Sequence, residues 1–340
     1  MKELQLVNSE VDLMLQEETK EQMRSILMSG ISKNTLKSYH KDLHYYWSYI
    51  NLRLGKEESY PIEVSDVLIF LTEHFTKMPD HVEDELIQMG VKRQKGPLKY
   101  ATIKRRLFTI SAFHTKQNLP NPCKHPMVKE VMQKARRAMI LNGVEVDKKA
   151  PAVKSVIEKL IATCDDSLVG KRDRALILCS FSSGGRRRSE TASFRAIDLE
   201  KLGPARYQIR MYHSKSDYSG KPKAFPVIGM TGEAMQDYLD ATGIEVGPLF
   251  RNISKHGSIL DGLSAIGIQH VFKNRCKLAG LDEEALSSRS LRSGFVTECL
   301  NQGNIGLHEI KKLTNHASFK SLEDYAIGVS AIDSPAAKIF

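Results

Sequence analysis

Apolar residues recur at helical spacing through most of the first 145 residues. The first repeat follows a start signal at Ser32, and the last one ends before Gly143, a residue typical of helix C-termini. Four amphipathic helices are therefore predicted. Their inward positions are Leu36, Tyr39, Leu43, Tyr46, Trp47 and Ile50, then Val67, Phe70, Leu71 and Phe75, then Ile103, Leu107, Ile110 and Phe113, and finally Val128, Val131, Met132, Ala135 and Met139.

The pattern changes in the second half of the chain. Residues 153–164 and 171–182 again have helical spacing, whereas residues 206–213 alternate between apolar and polar and are followed by a polar tip and residues 223–228. That alternation predicts a β-hairpin. Helical patterns resume after about Gly267. The chain is thus expected to be mainly α, with a small antiparallel sheet in its second half.

A polar stretch that ends in Pro151 predicts a boundary between two domains. We expect an acidic N-terminal segment over residues 1–30 and a helical domain over 31–145. A linker would cover 146–151, and a second domain with a C-terminal docking tail would cover 152–340.

Positive charge is concentrated in one part of the helical domain. The chain carries a net charge of +10, yet residues 1–90 are acidic overall, whereas residues 92–137 contain Glu130 as their single acid among many Lys and Arg. Such an excess is typical of a DNA-binding surface, although charge alone fits a solvated basic face equally well. The predicted DNA-binding side chains, which the third helix turns partly outward and the fourth carries on its polar face, are Lys104, Arg105, Arg106, Lys129, Lys134 and Arg137.

The cysteines and the N-terminus exclude several classes of protein. The five cysteines form no C-x-x-C pair, which argues against a structural zinc site and a disulfide framework. No stretch reads as a secretory leader or a membrane span. His308 is not followed by a second histidine at metal-binding spacing, because Lys312 stands there. We expect a cytoplasmic protein without a metal or membrane site.

The segment RDRALILCSFSSGGRRRSETASFRAIDL, which begins at Arg172, resembles the tyrosine recombinase (lambda-integrase) family. Placing Gly185 on the family's turn glycine aligns Arg187 with the first catalytic arginine and Glu190 with the supporting acid. The run of three arginines leaves a second register open, in which Arg186 is the catalytic residue. Glu190 favours Arg187.

Three later segments continue the resemblance in the family's order. HSKSDYSGKPKAFPV is similar to the hairpin whose lysine acts on the DNA, which Lys215 matches, with Lys221 and Lys223 as alternatives. SSRSLRSGFVTECLNQG places Arg292 on the second catalytic arginine. Arg289 stands there where a histidine is commoner.

The last segment, LHEIKKLTNHASFKSLEDYAIG, is similar to the end of the family's catalytic domain. Asn315 replaces the usual glycine, His316 matches the histidine, and Tyr325 falls at the spacing of the nucleophile. Arginine stays protonated, so Arg289 could bind phosphate but could not act as a general base. We expect Tyr325 to be primed by positive charge and by assembly.

The resemblance implies a site-specific DNA recombinase, built from a core-binding helical domain and an α+β catalytic domain. Such an enzyme cleaves and rejoins double-stranded DNA at a specific site through a 3′-phosphotyrosyl intermediate, without metal, ATP or other cofactor. It works as a homotetramer on DNA, is a monomer or weak oligomer when free, and belongs to a bacterial, phage, plasmid or mobile-element context. Two alternatives remain: a catalytically weakened homologue that only binds DNA, and a type IB topoisomerase-like enzyme.

Overall fold

A computed structural model describes Gln22 and residues 30–143, 149–212, 222–303, 305–316, 318–319 and 322. The chain divides into two compact units, residues 1–146 and 147–340. Tyr325, Lys215 and Lys221 lie outside the described residues, as do the predicted tail and nearly all of the acidic N-terminal segment.

The first unit consists of helices around an aromatic core. Ser32 caps the first helix by accepting a hydrogen bond from the Thr35 backbone N–H at 3.1 Å, and Gly55 ends it in the left-handed conformation. Tyr45, Tyr46 and Phe70 are fully buried in the core. The helices are α1 (Lys33–Leu54), α2 (Val64–Phe75), α3 (Asp80–Gln88), α4 (Tyr100–Lys116) and α5 (Pro126–Leu141).

The second unit packs helices around a small sheet. Three antiparallel strands lie in the order β1-β2-β3, and two further strands pair as a separate ribbon. The helices are α6 (Lys154–Ala162), α7 (Leu168–Ser182), α8 (Arg188–Ala192), α9 (Met230–Thr242), α10 (Ala265–Leu278), α11 (Ser290–Gln302) and α12 (Leu307–Thr314). The strands are β1 (Leu199–Gly203), β2 (Arg206–Met211), β3 (Lys223–Val227), β4 (Arg251–Ile253) and β5 (Ile259–Gly262).

The predicted fold class is confirmed. The four predicted helices of the first unit are α1, α2, α4 and α5, and the predicted hairpin is the antiparallel pair β2 and β3. Ile209 and Phe225 are partners in that pair and face the core, as the alternation indicates. Helices α3, α8 and α9 and strands β1, β4 and β5 were not predicted.

Two classes of feature are not found among the residues that the structure describes. No helix there is long and apolar enough to cross a membrane. No group of three or more His, Cys, Asp and Glu side chains in the same residues could hold a metal ion.

Candidate active site

Two consecutive glycines form the turn that links α7 to α8. Gly184 and Gly185 both have positive φ, at 97° and 64°. A Cβ on Gly185 would lie 2.2 Å from the Cα of Arg292, and one on Gly184 would lie 2.5 Å from the carbonyl oxygen of Leu313. Glycine is needed here both for the backbone conformation and for this close approach. The turn thereby brings the residues after it against α11 and the end of α12.

Arg187 and Glu190 form the first part of the site. The Arg187 Nη1 donates to Glu190 Oε1 at 2.7 Å, and the Arg187 backbone N–H donates to Glu190 Oε2 at 3.1 Å. Burial alone would raise the pKa of Glu190, but the charge of Arg186 and the N–H and guanidinium of Arg187 together hold it below its usual range. Glu190 is therefore ionised and fixes Arg187, whose side chain remains 34% exposed.

Arg186 points the other way, into the protein. Its Nη2 donates to the carbonyl oxygen of Leu313 at 2.5 Å, and its guanidinium carbon lies 4.4 Å from the ring centroid of Phe225. Burial lowers the pKa of Arg186 to about 10. Because Arg186 is closed off and Arg187 is open, the geometry supports the register in which Arg187 contacts substrate.

Arg292 and His316 form the second part of the site. The buried Arg292 lies in the first turn of α11, and its Nε donates to His316 Nε2 at 3.2 Å. The His316 Nδ1 lies 2.6 Å from Thr314 Oγ1. An imidazole that accepts at Nε2 carries its proton on Nδ1, so Nδ1–H donates to the threonine hydroxyl. We infer this tautomer from the hydrogen bonds.

His316 is neutral at ordinary pH. Burial, and then the positive charges of Arg292, Arg187 and Arg186, lower its pKa to about 4. Electrostatically, the structure thus gathers three arginines around one uncharged imidazole.

Two positions that differ from the family pattern are placed in distinct ways. Arg289 is exposed at the N-terminal boundary of α11, three residues before the buried Arg292. Asn315 ends α12 in the left-handed conformation, with φ of 57°, and its Oδ1 accepts from Lys223 Nζ at 2.7 Å. Asparagine tolerates this conformation better than any residue except glycine, which is why it can replace the usual glycine. The contact with Lys223 was not predicted, although an asparagine at a helix C-cap was a usable signal.

The prediction for Arg106 in the first unit was wrong about its orientation. The residue is buried, because it lies on the same helical face as Ile103, Leu107 and Ile110. Its guanidinium carbon is 3.1 Å from the ring centroid of Tyr45. The position of Arg106 thus makes it part of the core.

The other predicted DNA-binding side chains are exposed. On α4 these are Lys104 and Arg105, and Arg105 donates to Ser38 Oγ at 2.9 Å and forms an ion pair with Asp42. On α5 the exposed residues are Lys129, Lys134 and Arg137.

Sequence reasoning also missed a row of lysines on α1. Lys33, Lys37 and Lys41 are exposed and spaced four residues apart, which places them on one face. Lys41 lines a cleft of about 780 Å³ together with Lys92, Arg93, Lys99 and Arg105. The four-residue spacing was visible in the sequence, but it lay outside the segment with the largest charge excess.

Comparison with known proteins identifies the family. No family model matches the chain. The integrase/recombinase xerD homolog of Selenomonas ruminantium is 33% identical over 238 residues, which cover 67% of this chain and 68% of the relative. The tyrosine recombinase XerD of Listeria monocytogenes is 24% identical over 312 residues, covering 88% of this chain and 90% of the relative.

Solved structures agree at the level of the fold. The Tn1549 transposon integrase, in complex with transposon right end DNA, is 14% identical with a TM-score of 0.61, covering 93% of this chain and 96% of that one. The XerH site-specific recombinase, bound to a palindromic difH substrate, is 19% identical with a TM-score of 0.56, covering 88% of this chain and 76% of that one. From these matches, and above all from the Selenomonas relative, the chain belongs to the tyrosine recombinase family.

Proposed function

We propose that this protein is a site-specific DNA recombinase that cleaves and rejoins DNA strands through a covalent bond to Tyr325. The observation that carries the proposal is the convergence of Arg187 and Arg292 around a neutral His316. The relatives' names describe recombinases, and the fold is the one seen in recombinases bound to DNA.

The two arginines suit the chemistry of a phosphodiester. Attack on phosphorus places additional negative charge on the non-bridging oxygens, and guanidinium groups stabilise that charge in the transition state. Glu190 holds Arg187 by two hydrogen bonds, so little reorganisation is needed when the phosphate arrives.

His316 adds a neutral polar group beside these charges. With Nδ1–H engaged by Thr314 and Nε2 facing Arg292, it orients the second arginine without adding a fourth positive charge. An arginine flanked by an imidazole is held in position more firmly than one in solvent, because both partners lie in a partly buried site.

The proposed reaction balances without a cofactor. The Tyr325 hydroxyl gives its proton to solvent water as its oxygen forms a bond to phosphorus, and the bond from phosphorus to the 5′-oxygen breaks. Lys215 donates a proton to the leaving 5′-oxygen as general acid. The second step reverses these events with a 5′-hydroxyl from another strand. The energy of the broken bond is retained in the phosphotyrosyl ester, so rejoining needs no ATP.

We also propose that double-stranded DNA with a specific target site is the partner, and that four copies assemble on it. The active site would be completed by a tail that begins after Tyr325 and passes to a neighbouring copy. Native electrophoresis on a duplex with two target sites tests this: deletion of residues 331–340 should weaken cooperative assembly but leave the monomer folded. Unchanged assembly would remove the tail from the proposal.

Covalent capture tests the proposed function directly. The protein is incubated in the presence of EDTA with a pool of nicked duplexes that carry a randomised segment, and adducts stable in a denaturing gel are sequenced. The wild-type protein should form an adduct enriched for one sequence. Tyr325→Phe should form none. Tyr212→Phe, which removes the hydroxyl of another tyrosine, one that is 43% exposed, is the matched control and should behave as wild type.

The remaining outcomes separate the alternatives. DNA binding without any adduct from the wild-type protein would show a weakened homologue. Relaxation of supercoiled plasmid without dependence on sequence would show a topoisomerase-like enzyme. Either result overturns the proposed recombinase.

A further inference from the structure

Strand β3 is attached to the C-terminal end of α12 by two cationic side chains. Lys223 Nζ donates to Asn315 Oδ1 at 2.7 Å, and Arg186 Nη2 donates to the carbonyl oxygen of Leu313 at 2.5 Å. We call Arg186, Lys223, Leu313 and Asn315 the hairpin latch.

The latch engages a single face of β3. Lys223 and Phe225 are two residues apart in the strand, so their side chains leave the same face. Phe225 packs beneath the Arg186 guanidinium, and Lys223 reaches Asn315. The end of a helix carries carbonyl groups without partners in the helix and a partial negative charge, which two cations complement. The strand and the helix end are therefore held at two adjacent points.

Asn315 contributes something that the family's glycine cannot. Both residues accept the left-handed conformation, but only asparagine supplies a side-chain oxygen to Lys223. Asn315 also immediately precedes His316, which accepts from Arg292. The contact between Asn315 and Lys223 therefore joins the residue next to His316 to the residue that follows, two positions on in the sequence, the segment 213–221 that contains Lys215.

We propose that Asn315 and Lys223 are positioning residues. Their contact holds strand β3 at the C-terminal end of α12, and protonation of the leaving 5′-oxygen by the general acid of the β2–β3 hairpin depends on that position. The inference rests on the proposed function. It assigns to the replacement of glycine by Asn315 a role in catalysis.

A substrate that needs no general acid tests this role. In a duplex whose scissile 5′-oxygen is replaced by sulfur, the leaving group is a thiolate, and thiols have a pKa of about 8.5, so protonation is not required. Single-turnover cleavage rates are measured for the oxygen and sulfur forms of the duplex selected by covalent capture. Asn315→Gly should lower the oxygen rate about tenfold, a fraction of what a general acid contributes, and leave the sulfur rate within about threefold of wild type.

Further variants keep the test decisive if one protein folds poorly. Lys223→Met should also lower the oxygen rate and spare the sulfur rate, whereas Lys223→Arg should keep most of the oxygen rate. The double variant, Asn315→Gly with Lys223→Met, should be no slower than the slower single variant, because both substitutions break the same contact. Lys277→Met, which removes an exposed lysine of α10, controls for lost charge and should leave both rates unchanged.

Several results overturn the inference. Equal losses on oxygen and sulfur substrates would show a purely structural role. Loss in Lys223→Met with a normal Asn315→Gly would show that Lys223 acts without the amide. Both outcomes leave the proposed function intact, whereas a wild-type protein that forms no adduct with either substrate overturns the two proposals together.

Discussion

Each unit of the molecule contains a histidine of depressed pKa beside a buried arginine, and the two clusters differ in one respect that matters. In the first unit, His74 is 0% exposed, and its ring nitrogens contact the Phe70 carbonyl oxygen at 2.6 Å and Tyr45 Oη at 2.9 Å. Burial, together with the positive charge of Arg106, lowers the pKa of His74 to about 3, although the hydrogen bond with the Phe70 carbonyl raises it. His316 in the second unit has a pKa of about 4 for the same kinds of reason.

The difference lies in access. The aromatic rings of Phe70 and Tyr45 close over His74 and Arg106, so no substrate group could replace their partners without unfolding the core. His316 is only half-buried, and one of the arginines around it, Arg187, has a third of its side chain open to solvent. A depressed histidine pKa therefore reports burial; a reactive site is indicated by several convergent cations with an open side.

The largest expected effect distinguishes Arg292, beside His316 in the second unit, from Arg106, beside His74 in the first. Arg292→Gln should reduce the rate of adduct formation by a factor of about 10² to 10³, the loss typical of removing one transition-state donor. Arg106→Gln should leave the cleavage rate of bound DNA nearly unchanged and lower the thermal stability of the first unit. Single-turnover cleavage at saturating protein, with circular dichroism of each variant, measures both. A cleavage defect in Arg106→Gln as large as that in Arg292→Gln would contradict the distinction.

Lowering the pH should reduce the stability of each unit through its buried or half-buried histidine, and the two effects can be measured separately. Each has a folded pKa below the ordinary 6.5, so the unfolded chain binds more protons, and stability falls as pH decreases from about 6.5 towards about 4 for His316 and about 3 for His74. His74 is the more deeply buried of the two and its pKa is displaced further, so it should contribute the larger loss of stability. The protein's single tryptophan, Trp47, is buried in the first unit and reports its unfolding by fluorescence, while circular dichroism reports both units.

Asparagine variants identify the source of each pH dependence. His74→Asn should reduce the dependence detected by fluorescence and, with it, part of the dependence detected by circular dichroism. His316→Asn should leave the fluorescence-detected dependence unchanged and reduce only the part that circular dichroism alone detects. If neither substitution changes its slope, the two histidines are not neutral in the folded protein.

The smallest effect concerns the outward cations of the first unit. Replacing Lys33, Lys37 and Lys41 with glutamine should weaken DNA binding several-fold and reduce the dependence of log K on log salt by about one for each lysine that contacts a phosphate. Fluorescence anisotropy across a salt series measures both quantities. Lys77→Gln with Lys95→Gln removes two exposed lysines that pair with Asp80 and Asp84, and this control should leave the slope unchanged.

The sequence predicted the elements whose signal is local. Helical spacing located α1, α2, α4 and α5, and alternation located β2 and β3, because in each case one face is buried and the other is exposed. Strand β1 has no such signal: its residues are exposed or half-buried throughout, and it is a strand because it pairs with β2. That pairing depends on tertiary structure, which a local sequence pattern cannot predict.

Arg106 shows a second limit. The helical period places Arg106 on the inward face beside Ile103 and Leu107, whereas its charge predicts a surface position. A tyrosine ring that stacks on the guanidinium makes the burial tolerable. Order and spacing indicated Arg187, Glu190, Arg292 and His316, and the structure brings these four together. Their roles, like those of Lys215, Arg289 and Tyr325, remain predictions.

The close contact between Gly185 and Arg292 bears on how this scaffold could be re-engineered. The separation of the two arginine-bearing segments is set by backbone atoms in contact, so any side chain at Gly185 would force the two segments apart. Random libraries should lose every variant at Gly184 and Gly185, whereas substitutions at exposed positions of α1, α4 and α5 should leave the geometry of this turn unchanged. An engineered variant can therefore differ at the exposed helix positions, but it must keep the turn at Gly184 and Gly185.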